Sequence, residues 1–287
     1  MTFPIVLVHG IARFDILLVI LRKRLHIPDA AADGLQYFKG ITTHLENNGF
    51  SVFHPNQSFS GSADLRAGQL RDHINEFIPG SQKVNIIGHS MGGLDARHMI
   101  VDKGMADRVA SLTTVGTPHH GSPVANHLQG GGSLLLDVLN KVLNLDVEGV
   151  ADLTTTSCDQ FNARAEDFEA KNGVLYQTYS SSENWNRVFA PLIPSWFLVH
   201  EQEGETDGVV SVTSQQWKKG LVANDGTSKE IVQRQFPFGA DHLNQVGWWD
   251  PDEIVNPLFG GGSIINQARE FEQKVRDVYL DIAQHLP

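Results

Sequence analysis

Short, wholly apolar runs alternate along the chain with longer segments whose apolar residues recur every three or four positions. The runs at 4–8, 84–87 and 109–115 are rich in Val, Ile and Leu, which is typical of strands buried on both faces of a parallel sheet. The longer segments predict amphipathic helices between these strands. The alternation predicts βαβ units, and therefore an α/β fold with a mostly parallel central sheet and helices on both faces. The helices predicted first along the chain cover 34–48, 65–77 and 91–103.

Further strands continue the pattern on both sides of an interruption. They are predicted at 51–54, 174–179 and 230–236, and an amphipathic helix begins at 264 with Ser263 as its N-cap. We therefore expect a single domain over residues 1–287, whose alternation is broken by an inserted cap at about 123–170.

The centre of this cap is unusual, because its apolar residues surround most of the helix circumference. Eight Leu and Val residues lie between 134 and 145, with four polar residues among them. Such a helix suits a mobile lid that covers a cleft and opens at a lipid surface, with hinges at 130–132 and near Gly149. A static helix buried in the core is the alternative.

The stretch Gly88-His89-Ser90-Met91-Gly92 lies between the strand at 84–87 and the helix at 91–103. A Gly-x-Ser-x-Gly sequence between a strand and a helix is the context of a nucleophile elbow, in which a strained turn exposes the serine hydroxyl. We therefore predict that Ser90 is a catalytic nucleophile. The alternative is a tight turn with Ser90 as a helix N-cap, which does not explain both flanking glycines.

A serine nucleophile needs a base, and the base needs an acid that orients it. In hydrolases built on this elbow, the acid and then the histidine follow the serine along the chain. His242 lies in a loop before the terminal helix, and Asp207 precedes Gly208 at a predicted strand end. We therefore predict His242 as the base and Asp207 as the acid. Asp225 is the rival acid, although its sequence favours a plain hairpin turn.

The oxyanion of an acyl-transfer intermediate needs two backbone N–H donors. One is predicted at Met91, the residue after the nucleophile, and the other at Ile11, in the loop that follows the first strand. Gly10 allows the backbone of this loop to turn towards the site.

Composition and charge remove other classes of function. The chain has 287 residues, a formal net charge of −11 and one cysteine, Cys158. The negative charge argues against nucleic-acid binding, and a lone cysteine excludes an intramolecular disulfide and a multi-cysteine zinc site. No apolar run is long enough to span a membrane. A strand begins within three residues of Met1, which leaves no room for a signal peptide, so we expect an intracellular protein unless a leader was removed or secretion needs none.

Several motifs together resemble the bacterial true lipases of the Pseudomonas, Burkholderia and Proteus type. They are the segments 4–11, 13–15, 84–90, 116–122, 206–208 and 242–243. The resemblance implies an α/β-hydrolase fold, triacylglycerol lipase activity at an oil–water interface and a helical lid. It also implies Ser90, Asp207 and His242 as the triad, with Ile11 and Met91 as the oxyanion donors.

The chain departs from these lipases at their structural calcium site. An aspartate two residues after the catalytic histidine is replaced by Asn244, and the second carboxylate falls near Ala190. Without two anionic ligands a hard cation loses most of its binding charge, so we predict no metal and no other cofactor. We expect a carboxylic ester hydrolase, most simply a triacylglycerol lipase. A short-chain carboxylesterase, an acyltransferase or a catalytically inactive binding protein with this fold are the alternatives. The sequence identifies no protein partner.

Overall fold

The computed structural model describes residues 2–11, 37–58, 61–131, 147–248 and 264–287. Its main sheet has six strands in the order β2-β1-β3-β4-β5-β8, and every neighbouring pair is parallel. This confirms the predicted α/β architecture. The strands are β1 (Ile5–Val8), β2 (Val52–Phe53), β3 (Val84–His89), β4 (Val109–Val115), β5 (Leu175–Ser180) and β8 (Val232–Gln235).

The strand predicted over 230–236 is divided between two sheets. Residues Ser228–Glu230 form β7, which pairs in antiparallel fashion with β6 (Gly220–Val222). The chain changes partners at buried Ile231, whose N–H donates to the carbonyl of Lys219, and then continues as β8 on the edge of the main sheet.

Helices connect the parallel strands, as the apolar periodicity predicts. The first helix begins later than predicted, at Ile41, because Gly40 before it has φ 69° and is not helical; residues 34–36 lie outside the described residues. The helices are α1 (Ile41–Asn47), α2 (Ala63–Phe77), α3 (Met91–Asp102), α4 (Pro123–Gln129), α5 (Val147–Asp152), α6 (Thr155–Lys171), α7 (Ile193–Glu203), α8 (Val212–Gln215) and α9 (Ile264–Gln284).

Two hydrophobic clusters lie on opposite faces of the sheet. Alternate residues of β1 divide between them: Ile5 and Leu7 belong to the cluster beneath α1 and α9, whereas Val6 and Val8 belong to the one beneath α2 and α3. All four side chains are buried. This two-sided burial accounts for the wholly apolar strands in the sequence.

The connection between β4 and β5 contains α4, α5 and α6. The apolar segment at 134–145, where the lid helix is predicted, lies outside the described residues, as do Gly132 and the predicted N-cap Ser263. Gly149, a predicted hinge, is part of helix α5. The division into one domain and a mobile cap at 123–170 therefore stays a prediction. Within the residues described, no helix has both the length and the hydropathy that crossing a bilayer requires.

Candidate active site

Ser90 stands at the turn between β3 and α3, as the sequence predicts. Its backbone has φ 54° and ψ −132°, and among the described residues it is the one non-glycine residue with a positive φ. Its N–H donates to the carbonyl of Val115 at 2.9 Å, which fixes the turn against the neighbouring strand. Such a conformation is costly for a residue with a side chain and is found where the surrounding structure imposes it.

The glycines on either side of Ser90 allow the chain to cross itself closely. A Cβ atom on Gly88 would lie 2.7 Å from the backbone N of Gly93, and one on Gly92 would lie 2.4 Å from the carbonyl oxygen of Val8. Both distances are too short for non-bonded atoms. The two glycines are therefore steric requirements of the turn.

The structure brings Ser90, His242 and Asp207 together. The Nε2 atom of His242 is 2.9 Å from Ser90 Oγ, and its Nδ1 atom is 2.7 Å from Asp207 Oδ2. Asp207 is fully buried, while Ser90 and His242 are 6% and 8% exposed at the cleft. A carboxylate accepts the Nδ1 proton, which leaves Nε2 free to accept the serine proton.

Backbone groups hold the carboxylate of Asp207 in place. Its Oδ1 atom accepts hydrogen bonds from the N–H groups of Val209 and Val210 at 2.9 and 2.8 Å. Its own carbonyl accepts the N–H of His242 at 2.9 Å, so that the two residues are joined through main chain as well as side chain. Gly208 permits the tight turn, with φ 97°.

The rival acid Asp225 and other histidines that follow Ser90 along the chain are engaged elsewhere. Asp225 lies in the exposed turn of the β6–β7 hairpin and accepts the N–H of Thr227, as the hairpin interpretation predicts. His98 bonds to Asp102 on the outer side of α3, and His285 bonds to a carbonyl in the last turn of α9. His119 is fully buried behind the sheet edge.

The loop after β1 passes directly beside the serine. A Cβ atom on Gly10 would lie 2.7 Å from Ser90 Cβ, so the backbone of this loop is in contact with Ser90. Ile11 lines the same cleft as Ser90, and Met91 is the first residue of α3. Both predicted oxyanion donors thus lie beside Ser90; their catalytic role belongs to the proposal below.

An apolar cleft opens at Ser90. Polar atoms contribute little to its walls apart from Ser90, His242, His89, Tyr37 and Ser122. Its apolar wall comes from the loop after β1, from α4 and α5, and from the chain around 192 and 209: Ile11, Pro118, Val124, Ala125, Leu128, Val150, Leu153, Leu192, Val209, Val210 and Leu243.

A buried ion pair beneath the cleft was not identified from the sequence. Arg66 donates to Asp95 Oδ2 at 2.6 Å and to the carbonyl of His9 at 2.7 Å, and both charged side chains are fully buried. Burial raises the pKa of Asp95 to about 6, although the guanidinium opposes this. The pair fixes the start of the loop that carries Ile11. Its residues lie on two different helices, so no local pattern indicates their contact.

Hydrogen bonds within the protein hold the loop that carries His242, where the resemblance places a calcium ligand. The amide of Asn244 is occupied on both sides, since Oδ1 accepts the N–H of Asp241 and Nδ2 donates to the carbonyl of Trp248. The carboxylate of Asp241 accepts the N–H groups of Phe189, Leu243 and Asn244. Asn244 is neutral and supplies none of the negative charge with which a carboxylate binds a hard cation, so the absence of a metal here stays a prediction. The Asp-x-x-Asn spacing is the sequence signal that could have revealed this reciprocal capping.

Comparison with known proteins finds similarity to lipases. A family described as a PGAP1-like alpha/beta domain matches residues 69–162. A triacylglycerol lipase of Vibrio cholerae is 28% identical over 276 residues, which are 85% of this chain and 79% of that protein. One from Burkholderia plantarii is 36% identical over 132 residues, which are 44% of this chain and 32% of that protein.

Solved structures agree on the fold. The Staphylococcus hyicus lipase superposes with a TM-score of 0.60 at 17% identity, covering 98% of this chain and 96% of that one. The sheet, the elbow and these similarities define the class of fold: the chain has the α/β-hydrolase fold. Within that superfamily, the comparisons support the bacterial lipases, which confirms the resemblance seen in the motifs.

Proposed function

We propose that this protein is a carboxylic ester hydrolase that acts through Ser90, His242 and Asp207. The observation that carries the proposal is the hydrogen-bonded geometry of the three side chains, in which Ser90 Oγ, His242 and Asp207 are joined by contacts of 2.9 and 2.7 Å. The serine reaches this position through a strained turn in which it has φ 54°.

In the proposed reaction, His242 Nε2 accepts the proton of Ser90 as Oγ attacks the ester carbonyl. Asp207 stabilises the imidazolium that forms, and the N–H groups of Ile11 and Met91 stabilise the oxyanion of the tetrahedral intermediate. The intermediate collapses when His242 protonates the leaving alcohol, which gives an acyl-serine. A water molecule, activated by the same histidine, then hydrolyses this ester and restores the serine.

The substrate we propose is triacylglycerol. The relatives from Vibrio cholerae and Burkholderia plantarii are named triacylglycerol lipases, and the apolar walls of the cleft suit an acyl chain. Binding then takes place at the surface of an oil droplet, since a long-chain triglyceride does not dissolve. Short-chain esters that reach the same serine are hydrolysed as well.

A fluorophosphonate probe tests the reaction class, because it forms a stable bond to an activated serine. We expect labelling at Ser90, loss of labelling in Ser90→Ala and in heat-denatured protein, and turnover of a soluble ester that falls with the labelled fraction. A folded protein that is neither labelled nor active would identify an inactive hydrolase fold. Initial rates on dissolved short-chain esters and on emulsified long-chain triglycerides then distinguish a lipase from a short-chain esterase.

A further inference from the structure

Three polar side chains outside the triad form a continuous path around it. Gly10 N lies 2.9 Å from the hydroxyl oxygen of Tyr37, and this hydroxyl lies 2.6 Å from His89 Nδ1. On the other side of the ring, His89 Nε2 lies 3.0 Å from Gln245 Oε1. The amide nitrogen of Gln245 lies 2.9 Å from Asp207 Oδ2. The path therefore joins the loop after β1 that contains Gly10 and Ile11, here called the oxyanion loop, to the carboxylate of the proposed catalytic acid.

The acid end of the path fixes the direction of the hydrogen bonds within it. The carboxylate of Asp207 accepts, so Gln245 presents its NH₂ group to the acid and its oxygen to His89. His89 must then carry a proton on Nε2. Burial and the neighbouring His242 lower the pKa of His89 well below its ordinary value, so the ring is neutral and its Nδ1 accepts the proton of Tyr37. The N–H of Gly10 can only donate, so the same hydroxyl oxygen accepts there.

The structure holds Gln245 in one orientation. Its second amide proton is donated to Ser181 Oγ at 2.7 Å, and that hydroxyl donates its own proton to the carbonyl of Ala240. Gly116 leaves the space that the amide fills, because a Cβ atom there would lie 2.0 Å from Gln245 Oε1. The side chain is fully buried. A rotated amide would place oxygen against a carboxylate and is therefore excluded.

We infer that Tyr37, His89 and Gln245 form one oriented hydrogen-bond chain that positions the oxyanion loop and Asp207 relative to each other, with Gln245 as a positioning residue for the acid. The inference rests on the proposed function for its catalytic meaning. His242 and Gln245 donate to the same oxygen, Asp207 Oδ2. Gln245 thus both orients the carboxylate and limits how strongly it attracts the imidazolium of His242. His89 must also stay neutral for His242 to be protonated, because the two ring centroids lie 4.7 Å apart and two positive charges at that distance repel each other.

Substitution of Gln245 by Met tests the acid end, since Met has a similar length and no N–H donor. Loss of a hydrogen bond to a charged group predicts a fall in kcat of roughly 10-fold or more, with KM changed far less. Asp207 then becomes the stronger acceptor and favours the protonated form of His242, so the acid limb of the kcat/KM profile moves to higher pH. Gln177→Met is the control, since the Gln177 amide donates to Thr113 Oγ1 on a neighbouring strand, and its profile should stay unchanged.

Tyr37→Phe tests the other end, and the double variant tests whether the chain acts as one unit. The double variant should lose less kcat than the product of the single losses, by more than about twofold, although the two residues do not touch. Independent effects, or a pH profile unchanged in Gln245→Met, would overturn the inference.

A measurement without turnover separates this inference from the proposed function. Nitrogen-15 NMR of the histidine side chains should show His89 as the neutral Nε2–H tautomer from pH 8 to pH 5. Protonation of His89 on Nδ1 in this range would refute the chain even in an active enzyme. If the protein hydrolysed no ester but His89 showed the expected tautomer, the hydrogen-bond chain would be supported and only its catalytic role would be refuted.

Discussion

Asp241 accepts a hydrogen bond from the backbone N–H of Phe189 at 2.7 Å, and this bond ties the loop that carries His242 to the chain just before Ala190. Asn244 and Ala190 are the positions where the resemblance places the calcium carboxylates of related lipases. A hydrogen bond between protein groups therefore joins the same two segments. The other carboxylate oxygen of Asp241 holds the turn after His242.

Asp241→Ala should weaken both the fold and the reaction. It leaves three buried N–H groups without their acceptor, at a cost of roughly 1–3 kcal/mol each if water does not replace it. We expect a lower midpoint in urea and a lower kcat, because the His242 loop loses its tie. Asp72→Ala, which removes an exposed carboxylate, is the control. A wild-type kcat in a folded Asp241→Ala variant would show that the tie is dispensable.

Chelation should change neither activity nor stability. The loop around His242 is held by hydrogen bonds of the Asp241 and Asn244 side chains within the protein, and Asn244 replaces a charged ligand by a neutral one. We expect the same melting temperature and the same rate with EDTA as with added calcium. A melting temperature that falls by several degrees in EDTA and is restored by calcium would establish a metal site.

Exchange of Asp207 for Asn should nearly abolish ester turnover. An amide has an NH₂ group in place of one of the two carboxylate oxygens, and this group cannot accept the Nδ1 proton of the histidine. The histidine then loses its orientation. The loss expected for a triad acid is on the order of 10⁴-fold in kcat. Asp225→Asn should be neutral, because that carboxylate lies in an exposed turn. The reverse result, with Asp207→Asn active and Asp225→Asn inactive, would transfer the role to Asp225.

The sequence predicts the parts of this molecule that depend on local patterns. The buried strands follow from apolar runs, and the elbow follows from glycines at fixed offsets. The proposed triad follows from the order of serine, acid and histidine in hydrolases that have this elbow. The path from Tyr37 through His89 to Gln245 could not be predicted, because its residues are 52 and 156 positions apart and meet only in the folded chain. The division of residues 228–235 between two sheets is also set by tertiary pairing and not by propensity.

Acid should destabilise the protein below about pH 6.5 through its buried histidines. Burial and the charge of Arg97 lower the pKa of His119 well below its ordinary value. The unfolded chain then binds a proton that the folded chain does not, so stability falls as the pH falls below 6.5, by up to about 1.4 kcal/mol per pH unit for this group.

His119→Gln should reduce that slope, whatever its effect on stability at pH 8. Urea denaturation between pH 5 and pH 8 measures the slope, and His285→Gln, at an exposed histidine, is the control. An identical slope in wild type and His119→Gln would mean that His119 takes up its proton in the folded state.

Two glycines give the sharpest test of the packing at the elbow. In Gly92→Ala the new methyl group would lie 2.4 Å from the carbonyl oxygen of Val8 and 2.6 Å from that of His9, and both are backbone atoms of the sheet and the oxyanion loop. The helix or the loop must shift to relieve this overlap. We expect a loss of stability and a fall in kcat together, because the loop that carries Ile11 moves with His9.

Gly68→Ala makes the same chemical change where nothing opposes it. Gly68 lies within α2, and a Cβ atom there has no neighbour within 4 Å. Alanine should therefore raise stability by about 0.5–1 kcal/mol through its better helix propensity, and leave kcat unchanged. Thermal melts and ester hydrolysis of the two variants give opposite signs if the elbow is packed as described. A tolerated Gly92→Ala would mean that β1 and α3 are not in contact at this point.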